Sequence, residues 1–158
     1  MQTATIHQLK KELEILDQKA LLQLCLRLAR FKKENKELLT YLLFEAGQEE
    51  NFRQVIKTDL ENQFAEINHS NIYWTKKNLR KILRTIDKVI RFSGIKETEI
   101  EIRLHFLRLI KVQRIPIHRS RVLANMFAGQ IKKIRTSMEK VHEDLQYDYR
   151  LELEDILS

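Results

Sequence analysis

The stretch IYWTKKNLRKILRTIDKVIRFSG, residues 72–94, decides the fold. Advanced by 100° per residue, Leu79, Ile82, Leu83, Ile86, Val89 and Ile90 gather on one side of a helix. Lys77, Arg80, Lys81, Arg84, Lys88 and Arg91 gather on the other, their mean direction about 165° from the apolar mean. The spacing predicts a helix over 72–93, ended by Ser93 and Gly94. Its apolar side needs a second layer to cover it.

That layer is helical too, because the same period recurs on both sides of the segment. Upstream, Thr5 and Gln8 stand at capping-box spacing before a short helix at 6–15, and Asp17 can cap a second at 18–33. Asn35 caps a third, ending near Ala46 with Gly47 as its left-handed last residue, and a fourth spans 49–68. Downstream, a sixth spans 97–114, and Pro116 suits the first turn of a long helix at 117–146. Leu151, Leu153, Ile156 and Leu157 mark a short final helix. In the second helix (Leu21 to Phe31) and the sixth (Ile100 to Val112), apolar residues run nearly all the way round. That pattern predicts two central helices, with Cys25 buried and inert.

Composition agrees with an all-α class. Three Gly and one Pro among 158 residues leave too few turn-formers for a β-rich chain, and no two Gly lie close enough for a phosphate loop. One Cys excludes an internal disulfide and a Cys-based zinc site. Hydrophobic residues at 43% and charged residues at 32% are those of a globular protein. No apolar run approaches the ~18 residues of a membrane span, and residues 1–20 lack a signal-peptide pattern, so a cytoplasmic protein is expected. No Pro-, Gly- or Ser-rich linker divides the chain, which predicts a single helical domain over 1–158. Seven or eight helices form either an irregular bundle or an α-solenoid-like stack with a duplicated helical hairpin.

The segments ARFKKENKELL (29–39) and TKKNLRKILRTIDKVIRFSGIKETEIEIRLHFLRLIK (75–111) resemble an uncharacterised bacterial family of small all-helical proteins. That family pairs a lysine-rich N-K-E segment with a central basic helix and a K-E-T-E helix. The resemblance implies a helical fold and no activity, cofactor or catalytic residue.

Charge is distributed unevenly. Residues 1–75 hold 10 Lys/Arg and 11 Asp/Glu, residues 76–138 hold 17 and 4, and residues 139–158 hold 2 and 7. The basic stripe of the fifth helix, Lys77 to Arg91, is about 21 Å long at ~1.5 Å per residue, enough to follow several phosphates. Tyr73 and Trp74 stand at its start, available either to stack on bases or to enter the core. The bland alternative is a solvated helix face, covered or neutralised by the acidic tail 139–158. A membrane-surface role would need the apolar side free, whereas the core claims it.

Two Glu-x-x-His pairs, Glu66/His69 and Glu139/His142, have the spacing of di-iron bundle ligands, but on helical projection they point away from the apolar faces. His105 reads as a partly buried, satisfied histidine. No catalytic residue, cofactor or metal is expected. The leading expectation is a non-catalytic helical scaffold or macromolecule-binding module whose electropositive face, Lys77, Arg80, Lys81, Arg84, Lys88 and Arg91, meets a protein partner. The alternative is sequence-nonspecific nucleic-acid binding through the same stripe; an enzyme or metal protein comes third.

Overall fold

Capping chemistry sets several of the helix starts in the structure, a computed structural model that describes residues 2–68 and 70–158. Thr5 Oγ1 accepts the Gln8 N–H while Gln8 Oε1 accepts the Thr5 N–H at 2.9 Å, closing the capping box of α1 (Ile6–Glu14). Asp17 Oδ1 accepts the Ala20 N–H at 2.7 Å and starts α2 (Gln18–Phe31). Helix α3 (Lys33–Thr40) begins ahead of Asn35, its expected cap, and runs on as a π turn over Tyr41–Glu45. Asn35 instead donates from Nδ2 to the Leu28 carbonyl at 2.8 Å, tying α3 to the last turn of α2. The other helices are α4 (Glu49–Ala65), α5 (Ile72–Ser93), α6 (Lys96–Val112), α7 (Arg121–Met138) and α8 (Glu143–Leu157). The chain is all-α: 82% of the described residues are helical, and no strand occurs among them.

Packing separates two compact units, one ending at Phe44 and the other running from Glu45 to Ser158. In the first, α2 and α3 are the principal partners. Among its described residues only Tyr41 is buried, while Leu22, Leu28, Phe31 and Cys25 are exposed. The expectation of a central second helix with a buried thiol is thus corrected. An all-round apolar helix is buried only where several neighbours surround it, and within this unit α2 has one main neighbour.

In the second unit α6 has those neighbours. Helices α4, α5, α7 and α8 all pack against it, a bundle with one helix at its centre. Ile100, Ile102, Leu104, Phe106 and Leu107 are fully enclosed, and each such side chain contributes about 1.5–3 kcal/mol by leaving water. Phe106 meets Phe64 of α4 edge to face, with ring centroids 5.5 Å apart.

The long helix expected at 117–146 is broken twice. Pro116 leads into one 3-10 turn, Ile117–Arg119, and Ser120 is extended, so α7 starts only at Arg121. After Met138 the chain turns, and His142 Nδ1 accepts the Asp144 N–H at 3.3 Å, capping a fresh helix whose first turn carries Glu143 and Asp144. Acidic residues favour a helix start, and here they mark one.

Gly94 closes α5 at φ 69° as expected, whereas Gly47 is not left-handed. The second left-handed residue is Arg114, at φ 52°. It ends α6 in a Schellman turn: Ile115 N–H reaches the Ile110 carbonyl at 3.1 Å, Arg114 N–H reaches that of Lys111 at 3.0 Å, and Ile110 and Ile115 are both buried. Glycine normally takes this position, and a side chain there costs roughly 1–2 kcal/mol.

His105 on α6 is half-buried, its Nε2 3.1 Å from Glu61 Oε1 in an ion-pair approach without hydrogen-bond alignment. Burial pushes the imidazole below its usual range, outweighing the pull of Glu61. A histidine depressed in the folded state protonates first in the unfolded chain. Its contribution is therefore full above the unfolded value of about 6.5 and declines as pH falls below it. Urea midpoints should fall between pH 7.5 and 5.5 in the wild type, and the slope should flatten in His105→Gln. An equal slope in both proteins would assign the acid sensitivity elsewhere.

Candidate nucleic-acid interface

Helix α5 turns Leu79, Ile82, Ile86, Val89 and Ile90 into the core. The period that buries them leaves Lys77, Arg80, Lys81, Arg84 and Arg91 exposed along the outer side, with Lys88 half-buried beside them. The exposed five form no ion pair among the described residues.

The start of the helix fixes two aromatic rings at the end of this row. Asn71 caps α5 by accepting the Tyr73 N–H at 2.8 Å, and the buried Thr75 hydroxyl donates to the carbonyls of Asn68 and Asn71. Tyr73 and Trp74 are thereby held outside the core, 60% and 46% exposed, with their rings edge to face at 5.4 Å. Lys77 Nζ lies 4.7 Å from the Trp74 ring centroid, a cation–π contact that joins the aromatic pair to the charged row. Of the two roles open to these rings, the structure removes the core one.

Asp87, the one carboxylate of α5, does not discharge the row. The buried Arg103 reaches it from α6 through Nη2 at 2.8 Å, and Lys133 of α7 reaches it at 3.2 Å. Burial raises the Asp87 carboxyl, but the two cations outweigh that and hold it below its usual range. Arg103 also donates from Nε to Glu99 Oε1 at 3.1 Å and from Nη1 to Gln130 Oε1 at 2.6 Å. Its fork is thus engaged from three helices. For Glu99 burial again acts upward, and Lys96, Ser137 and Arg103 together prevail downward. Composition gave no hint of this network, because Arg103 begins a run, 102–138, with nine basic residues and no acid. The readable trace was local: Glu99 and Arg103 stand at the i, i+4 spacing of a helical ion pair.

The acidic tail has partners other than α5. Helix α8 packs on α6 and α7, Glu152 pairs with Arg108 at 2.8 Å, and Lys111 Nζ donates to the Asp155 carbonyl. Tyr149 donates to Glu101 at 3.3 Å, and burial with that carboxylate pushes its hydroxyl up to about 12.

The Glu-x-x-His spacings resolve differently from expectation. Glu66 is the C-cap just beyond the end of α4, and its partner His69 lies outside the described residues. Glu139 and His142 flank the turn between α7 and α8, so they share no helix face, and His142 is occupied in capping. Among the described residues no group of three or more His, Cys, Asp or Glu is placed to hold a metal. No helix among them is long and apolar enough to cross a membrane. Comparison of the chain with protein-family models, with curated proteins and with solved structures gives no match.

Proposed function

We propose that this protein is a non-catalytic binding module that holds nucleic acid along α5, without sequence preference and preferring single strands. One observation carries the reading: five unpaired cations lie in a row that begins at an exposed tyrosine–tryptophan pair. A solvated helix face has no need of two large rings at its end. Bases stacked on them would leave the phosphates free to follow the cations. The position of the acidic tail, paired to α6, favours this over a covered face that meets a protein partner. A cytoplasmic site of action belongs to the same proposal. The likeness to a bacterial family of small helical proteins carries a fold and adds no activity.

The experiment is an anisotropy titration of labelled oligothymidylate between about 50 and 200 mM salt. Submicromolar binding at the low end, falling steeply with salt, is expected. Changing Lys77, Arg80, Lys81, Arg84 and Arg91 together to Gln should flatten the log–log slope by about 3.5, at ~0.7 for each single-strand phosphate no longer neutralised. Trp74→Ala should weaken binding by about 1–3 kcal/mol and leave the slope unchanged. No saturable binding at about 50 mM salt, or a salt slope that the five-fold Gln variant leaves unchanged, would return the stripe to a solvated face or a protein contact.

A further inference from the structure

At the other end of α6, away from any role given to α5, an open pocket of about 660 Å³ lies where the Schellman turn, the 3-10 turn, α7 and the end of α8 meet. Its size is that of a small-molecule site, which typically spans about 300–1,000 Å³. The floor is apolar: Ile110, Ile115 and Ile156 are buried, and Phe127 of α7 stands half-buried beside them. The rim is basic. Arg114, His118 and Arg119 are exposed and form no ion pair among the described residues, and no Asp or Glu side chain among those residues lines the pocket. Lys111 also lies on the rim but is engaged with the Asp155 carbonyl.

Arg114 is the telling residue. It is the one described residue other than glycine with a positive φ. Glycine would close α6 without strain, and Lys111 already supplies a cation to the last turn of that helix, so neither the turn nor the helix dipole calls for arginine here. Backbone strain of this kind is characteristic of binding sites, where a side chain must stand in a fixed place. The left-handed turn stands Arg114 on the basic rim, above the Ile110–Ile115 contact that the same turn makes.

We propose that this pocket binds an anionic amphiphile, with a carboxylate or phosphate monoester headgroup held by Arg114, His118 and Arg119 and an aliphatic body laid on the isoleucine floor. The ligand is taken as a free molecule. A charged head alone would waste the floor, and an uncharged chain would leave the two arginines and the His118 ring unanswered.

Isothermal titration with dodecyl phosphate below its micellar concentration tests this, with inorganic phosphate and dodecanol as controls. One dodecyl phosphate per chain should bind, and each control should bind at least about tenfold more weakly, the effect of losing one charge-assisted hydrogen bond or its apolar counterpart. The decisive variant is Arg114→Gly. Relief of the left-handed side chain should raise Tm by about 2–4 °C while affinity falls about tenfold or more. Arg119→Gln should weaken binding to a similar degree without raising Tm. The α5 variants should bind the amphiphile as the wild type does, which separates this site from the nucleic-acid reading. Unchanged binding by Arg114→Gly, equal binding of inorganic phosphate, or uptake only by phosphatidic-acid vesicles would overturn the proposal.

Discussion

Replacing Arg103 by alanine is expected to cost about 3–5 kcal/mol, the loss typical when one member of a buried ionic group is removed. The reason lies in what remains. Glu99, itself buried, loses the Nε donor and Gln130 loses its Nη1 donor, while Asp87 is left with Lys133 alone. The damage therefore comes from stranded acceptors more than from a lost attraction. A second variant separates the two: changing Arg103 and Glu99 together to Met should recover much of the loss, since a hydrophobic replacement of similar volume strands no charge. Urea midpoints at neutral pH measure both. A loss under about 1 kcal/mol in Arg103→Ala would mean that water replaces the guanidinium at little cost. The acid limb has a fixed sign as well. Asp87 and Glu99 lie below their usual range when folded, so their contribution is present above the ordinary carboxylate range and is lost as pH falls below about 4.

The other large effect is expected at Phe106→Ala, again about 3–5 kcal/mol. Phe106 is fully enclosed at the middle of α6, so removing the ring forfeits its transfer from water and leaves a cavity that four surrounding helices cannot readily close. Because the ring meets Phe64 edge to face, a double-mutant cycle with Phe64→Ala should return a coupling of about 0.5–1.5 kcal/mol. Total stabilities run to about 5–15 kcal/mol, so either single variant would stand near the limit of folding. A midpoint change near zero for Phe106→Ala would place the core elsewhere than α6.

Local chemistry was legible in the residues, and neighbour number was not. The Thr5–Gln8 box, the Asp17 cap, the Gly94 stop and the two-sided α5 follow from interactions within a few positions of the chain, and they stand where the spacing put them. Helices α2 and α6 carry the same all-round apolar pattern, yet one is central and the other exposed, because periodicity records what a helix could bury and not how many helices surround it. Apolar spacing continues through the break before α8 and hides it, although Glu143 and Asp144 signal a helix start. Of the site, the stripe and its aromatic end were readable from spacing. The exposure of Trp74 and the masking of Asp87 were not, since the first is a choice between two solvents and the second depends on residues 16 and 46 positions away.

The central place of α6 also sets how the molecule breathes. Amides of α6 sit beneath every other helix of their unit, so no partial opening frees them, and their hydrogens should exchange only when the unit unfolds as a whole. Helix α1, with no buried residue, should trade its amide hydrogens by fraying alone, orders of magnitude sooner. A deuterium-uptake map would then read as a contour of neighbour number, slowest along one helix and fastest at the N-terminal turns.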